Sequence, residues 1–438
     1  MNSLRFWFAV LLAVSMSSPA RALDVSGGVR FRSTFFKNFG LYEKRLNSMD
    51  GVDFTHDLRA DVRVGQAFNE HNRGVVQVRA AHRFGDNDAL KNARTSDSLR
   101  LHQAYVEMDH ILNGAANLRL GRQELRFGRE VLVGANDWDL DGRSFDALRF
   151  YTNTKKLDFD AFYSVVADSE GTKHKIHFAG TNLKHTSPMH TINEYYLLYL
   201  FVPRNIAYIE NLPNLDLVVY TFGTRMEGKL NPKIFYHWMV NYQTGKLITV
   251  GTPDVRQDVS AYSALANLDY FVDRKFVRNV GAEYTIASGD KMSTTRKSET
   301  FMPMFPDNHS RFGSMDWWGL MNSQVFTLYM FYNLHQRIES LIEFLRFYIQ
   351  SNGAAWYLGD MSPAWFKGTP QVNWPSDGKA KKYGGTEIDF HWTWQSPWKR
   401  VFQMGYSYYI PGDLLKESGF WNRSDPVQWG YFQTEIKF

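Results

Sequence analysis

The chain has no cysteine. Neither a disulfide framework nor a thiolate metal site is open to it. It also lacks a long apolar helix. The opening stretch, MNSLRFWFAVLLAVSMSSPARA, holds one early positive charge at Arg5. An apolar run from Phe6 to Val14 follows, and the stretch ends on Ala20-Arg21-Ala22. That run is shorter than the roughly 20 residues a helix needs to cross a bilayer. It predicts an export signal, residues 1–22, cut after Ala22. The longest later apolar run, YYLLYLFV at 195–202, suits a strand. One-signed charge is scarce too. The net charge of +5 includes Arg5 and Arg21 of the signal, which is too little to argue for a nucleic-acid partner. There is no G-x-S-x-G elbow, no H-E-x-x-H and no phosphate-cradling glycine loop. No catalysis and no cofactor are therefore expected; an outer-membrane lipase-type enzyme is the remote alternative.

Aromatic residues, by contrast, make up 16% of the chain. An exported, aromatic-rich chain without membrane helices fits an outer-membrane β-barrel, whose aromatics form girdles at both interfaces. The rival is a soluble periplasmic β-protein. Periodicity separates them. In 52–64, Val52, Phe54, His56, Leu58, Ala60, Val62 and Val64 share one face, while Asp53, Thr55, Asp57, Arg59, Asp61 and Arg63 share the other. Alternation this long exceeds the usual strand of about 5–6 residues. It suits a wall with lipid on one side and a polar lumen on the other.

The pattern predicts eighteen strands: 24–37, 52–66, 74–84, 98–109, 117–127, 143–152, 156–167, 173–184, 191–202, 215–228, 233–243, 259–270, 276–289, 323–334, 338–350, 383–395, 399–410 and 428–438. The short connections then fall on the side of the N-terminus. The long ones (290–322, 351–382, 411–427) fall on the other side, as expected for periplasmic turns and extracellular loops. The expected fold is all-β: a single 18-stranded antiparallel transmembrane barrel over 23–438. The closing TEIKF ends the last strand on an aromatic residue, as suits a monomer handed to the outer-membrane assembly machinery.

Six arginines lie on the polar face of the first three strands: Arg30, Arg32, Arg59, Arg63, Arg79 and Arg83. Arg30, Arg59 and Arg79 should meet near mid-height and form a basic patch. In a narrow pore such a patch attracts anions and repels cations. Asp57 and Asp61 share that face. They would stay ionised among arginines, and by pairing with them could simply hold the wall rigid. Both roles remain open.

One run stands apart. NDWDLDGRSFD at 136–146 spaces Asp137, Asp139 and Asp141 alternately before Gly142, like the start of a calcium loop. The twelfth residue from Asp137 is Leu148, not the bidentate Glu such a loop needs. A polar rim loop is the expectation, with Asp146 turned toward nearby arginines and the three aspartates only weak calcium candidates.

LRLGRQELRFGREVLVGANDWDLDGRSFDALRF (118–150) resembles the signature of the alginate export family of outer-membrane barrels. FPDNHSRFGSMD (305–316) is similar to its long-loop motif, and GTEIDF (385–390) with GYSYYIPGD (405–413) to its C-terminal end. The resemblance implies an 18-stranded monomer in the outer membrane, with an arginine-lined constriction through which an acidic polysaccharide such as alginate leaves the cell. By position in the motif, Arg122, Arg126 and Arg149 would be pore arginines. Strict alternation groups Arg122 with Leu118 and Leu120, so a bulge or a rim position is needed for the three. The connection SPWK (396–399) is minimal, which departs from the family's long periplasmic loop. A porin for small organic anions or sugars is the alternative.

Overall fold

A computed structural model describes residues 23–38, 52–85, 98–154, 156–166, 176–188, 191–206, 215–249, 254–272, 274, 276–291, 296–307, 309, 311–352, 354, 356–359, 381–397, 400–417 and 425–438. The expected signal, 1–22, and most of the aromatic loop 351–382 lie outside them. The strands are β1 Asp24–Lys37, β2 Val52–Ala67, β3 Asn72–Gly85, β4 Ser98–His110, β5 Ala116–Gln123, β6 Phe145–Tyr151, β7 Leu157–Val166, β8 Ile176–Thr186, β9 Ile192–Ile206 and β10 Leu215–Asn231. They continue with β11 Ile234–Thr249, β12 Val255–Phe271, β13 Val277–Ala287, β14 Lys297–Ser298, β15 Ser323–His335, β16 Ile338–Ile349, β17 Tyr383–Gln395, β18 Val401–Pro411 and β19 Val427–Lys437.

Eighteen of these form a closed antiparallel barrel. β1 pairs with both β2 and β19, so no edge remains. β14 is a two-residue addition, parallel to β12, inside a far-side loop. Closure satisfies every ladder, which is why a sheet can stand in lipid at all. Alternation follows the two solvents. Val29, Leu58, Val62 and Val106 are exposed on the outside, while Arg30, Arg59 and Glu107 are buried within.

All eighteen expected strands are present. The largest boundary difference is in β11, which runs on to Thr249 instead of 243, and the one that bears on the lumen is in β5, which ends at Gln123 instead of 127. There the chain leaves the wall and turns into the lumen. Gln123 Nε2 donates to the carbonyls of Gly121 and Ala147 at 3.2 and 3.1 Å, closing the end of the ladder. Two far-side loops enter the outer lumen, 124–144 and the described residues of 288–322. Their apolar residues Leu125, Val133, Phe301, Phe305, Phe312, Trp317 and Trp318 are buried against inward-facing Leu217, Val219, Phe347 and Tyr409. The barrel thus carries a true core at this level, built from wall and loops together.

Candidate functional site: the charged lumen and its two inward loops

The basic patch forms, and it holds a loop. Arg30 stands in register with Arg59 across β1 and β2, and Arg79 with Asp61 across β2 and β3. All three arginines are buried. Their guanidinium groups reach the carbonyls of the 136–141 run. Arg30 donates to Asp137 O at 2.7 Å and Asp139 O at 3.1 Å. Arg32 and Arg59 donate to Trp138 O and Asp137 O at 2.9 and 3.1 Å. Arg79 donates to Asp141 O at 2.7 Å. Gly142 makes this approach possible. Its φ is +64°, and a Cβ there would lie 2.6 Å from Arg79 Nη1.

The spacing that resembled a calcium loop therefore serves arginine. Asp137 Oδ1 lies 3.1 Å from Arg59 Nη1. Asp141 receives Ser98 Oγ at 2.7 Å and Arg100 at 2.8 Å, and Asp139 accepts from Asn136. The three carboxylates have separate partners and do not converge. Burial works to raise the Asp137 carboxyl, but Arg59 and Arg30 outweigh it and hold it below its ordinary range.

The same wall is cross-braced. Asp57 binds Arg32 at 2.9 Å and Arg83 at 2.6 Å; Asp61 binds Arg79 at 2.7 Å and Arg59 at 3.2 Å. Arg63 donates to Tyr105 Oη at 3.1 Å.

The residues carried over from the motif divide. Arg149 faces the lumen, paired to Asp160 at 2.5 Å. Arg126 sits on the inward loop between Glu124 and Glu130, at 3.1 and 2.7 Å. Arg122 and Asp146 require a correction. They pair with each other at 2.7 Å, in register across β5 and β6. That position shares the outward face with the exposed Leu120 and Leu148. Alternation holds through this stretch without a bulge, so neither residue lines the pore.

Other lumenal charges went unread. Arg225 bridges Glu194 and Glu227 at 2.6 Å each, and Arg129 binds Glu227 at 3.1 Å. Arg119 reaches Glu107 at 2.5 Å. On another part of the wall the sign reverses. Glu283, Glu343, Glu387 and Asp389 come from β13, β16 and β17, and they receive the second loop by its donors. Met315 N donates to Glu387 Oε1 at 3.0 Å, and Ser314 N to Asp389 Oδ2 at 3.2 Å. Arg311 donates to Glu283 at 3.3 Å. Gly313, at φ +83°, leaves the room that Glu387 needs. So the arginine wall takes loop carbonyls, while the acidic wall takes loop N–H groups. A chamber of about 650 Å³, lined by Arg129, Arg278, Glu283, Arg311, Tyr329 and Glu343, lies among these groups.

The two loops join in the middle. Val133 and Phe305 form a parallel bridge. Gly134 N donates to Phe305 O, and Phe305 N to Leu132 O, both at 2.8 Å. Arg143 Nη1 donates to Phe305 O at 2.7 Å. Trp138 is sandwiched between His309, stacked at 3.6 Å and 9°, and the Arg32 guanidinium at 4.0 Å. Tyr431 meets its edge at 4.9 Å.

One member of the joint works against it at neutral pH. Burial pushes the Asp307 carboxyl above its ordinary value, and Glu130 adds to the shift. Its Oδ1 is buried without a hydrogen-bond partner. A carboxyl whose folded pKa is raised contributes stability that is full in acid and is lost as pH rises through that pKa. Asp307→Asn is therefore expected to protect the joined loops from proteolysis at pH 8, with no difference from the parent at pH 4. Equal protection at both pH values would contradict this reading.

A closed 18-stranded barrel with a charged, loop-filled lumen is a porin-like channel of the Gram-negative outer membrane. The chain belongs to the alginate export family: the family model described as Alginate export matches residues 21–425. No curated protein matches the chain. Solved structures from Pseudomonas aeruginosa share the fold. OccK5 (OpdH) is 9% identical with a TM-score of 0.55, over 95% of this chain and 98% of that one. OpdK with vanillate is 8% identical with a TM-score of 0.59, over 95% and 98%. OccK2 (OpdF) in complex with glucuronate is 10% identical with a TM-score of 0.58, over 96% and 99%. Family and fold together define a non-enzymatic outer-membrane channel for anionic solutes.

Proposed function

We propose that this channel exports an acidic polysaccharide such as alginate, with the arginine wall as its filter. One observation carries the reading. Where the wall meets the 136–141 run, seven arginines (30, 32, 59, 63, 79, 83 and 100) stand against five aspartates (57, 61, 137, 139 and 141), so positive charge is left over locally, while elsewhere on the same strands Glu107 is taken up by Arg73 and Arg119. In a water-filled pore with low-dielectric walls, excess positive charge concentrates anions. Arg30, Arg32, Arg59, Arg63, Arg79, Arg126 and Arg149 act here, with Asp57 and Asp61 as their braces. Membership of the alginate export family supports a uronic-acid polymer as cargo. In this reading residues 1–22 are a cleaved export signal, and the barrel works as a monomer delivered by the outer-membrane assembly machinery.

A second reading is a porin for small organic anions or sugars. It is favoured by the loops 124–144 and 288–322, which are joined inside the lumen and leave less room for a polymer. Single channels in a planar bilayer separate the two. Alginate oligomers added to one side should produce voltage-dependent blocks that a neutral dextran of equal length does not. If monomeric uronates lower the current and the oligomers do nothing, the small-anion porin is the right reading.

A further inference from the structure

β17 places Glu387, Asp389 and His391 at alternate positions on its lumenal face, beside Glu343 of β16, which stands in register with Asp389. Glu387 and Asp389 are fully buried. Each uses one carboxylate oxygen to accept a loop N–H, from Met315 and Ser314 respectively. The other oxygens, Glu387 Oε2 and Asp389 Oδ1, are buried without a hydrogen-bond partner. No Lys or Arg among the described residues pairs with any of the three acids, although every other part of the lumenal wall described above is cross-braced by arginine. Buried carboxylates without a counter-charge are costly: they either keep a proton or take a positive partner.

The geometry offers a place for one. One ligand atom each of Glu343, Asp389 and His391 lies within 4.8 Å of the others, the sole such group among the described residues. Two carboxylates and an imidazole are a mixed oxygen and nitrogen set. Carboxylate suits manganese and imidazole suits zinc, so a divalent transition cation fits both. His391 is held by Ser314 Oγ at 2.9 Å from Nε2 and by Tyr431 Oη at 3.4 Å from Nδ1. For the ring to ligate, one nitrogen gives up its contact, and the contact kept by the other orients the ring. Glu343 also lines the 650 Å³ chamber, which supplies the entry path.

We propose that Glu343, Asp389 and His391 bind one divalent transition cation, of the zinc or manganese type, with Glu387 adding charge from beside it. The site also tethers the second inward loop, because Ser314 contacts both Asp389 and His391. The inference stands on the cluster itself and does not depend on what the channel carries.

The test uses the full folded barrel in detergent, stripped with EDTA. Zn2+ is titrated by calorimetry, and Mn2+ by loss of the free-ion electron paramagnetic resonance signal. The parent should bind one equivalent of at least one of the two ions. Glu343→Gln and Asp389→Asn should each weaken binding at least tenfold, with folding verified by heat-modifiable migration. If Asp389→Asn fails to fold, Glu343→Gln, at the chamber side, decides alone. No saturable binding by the parent would overturn the proposal and leave these acids to share protons. Parent-like binding by folded Glu343→Gln would overturn it as well, and would place the ion elsewhere.

Discussion

Replacing Trp138 by Ala is expected to raise single-channel conductance at least twofold and to make the open current noisy. Trp138 is the point where three parts of the molecule meet: the basic wall through Arg32, the second loop through His309, and β19 through Tyr431. Each aromatic pair is worth about 0.5–1.5 kcal/mol and the cation–π contact about 0.5–2 kcal/mol. Losing all three removes roughly 2–4 kcal/mol from docking, which lowers the docked-to-free ratio by more than tenfold. The barrel itself should persist, since its ladders do not involve this side chain. Retained heat-modifiable migration would show that. A current trace indistinguishable from the parent would mean that the loop is held without its indole.

The second large effect concerns the arginines, which have two roles that one pair of variants separates. In Arg30→Ala/Arg59→Ala the carbonyls of Asp137 and Asp139 lose their charged donors. Hydrogen bonds to charged groups contribute about 1.5–3 kcal/mol each, so the loop should leave the wall and conductance should rise several-fold. Two positive charges go as well, so anion preference should fall. Arg30→Lys/Arg59→Lys keeps the charge but not the planar fork that reaches two carbonyls at once. It should raise conductance and leave selectivity close to the parent's. If the Lys pair conducts like the parent, the fork is not what holds the loop. If the Ala pair keeps full anion preference, these arginines are structural only.

How far the molecule could be read from its letters depends on the range of the interaction concerned. The strands were legible because lipid and lumen impose a period of two over ten or more residues, as in Val52–Val64. β8, where KHKIHFAGTNLK alternates only weakly, is legible because without a strand there the 33-residue connection 290–322 would fall on the same side as the short turns. Alternation also had the better of the motif at Arg122 and Asp146: it grouped Arg122 with Leu118 and Leu120, and the outward ion pair follows. The inward loops were not legible. Arg30 and Asp137 are 107 positions apart, and no local spacing announces that an arginine will bind the carbonyl, not the carboxylate, of an aspartate. The far ends of several strands are also hard to read, since the loops pack on them. On β10 the lumenal face is apolar at Leu217 and Val219 and becomes charged only at Arg225. Glu387, Asp389 and His391 were visible as the polar face of their strand. What the sequence could not show is that no arginine among the described residues comes to meet them.

The account rests on positive charge left over where the wall meets the inward loop. The most direct measurement is the reversal potential of the parent channel in a planar bilayer, at neutral pH and low ionic strength, under a tenfold gradient of potassium chloride. The sign should report preference for chloride, and the potential should shrink as salt is raised and the wall is screened. A potential of the opposite sign, reporting preference for potassium, would contradict the account.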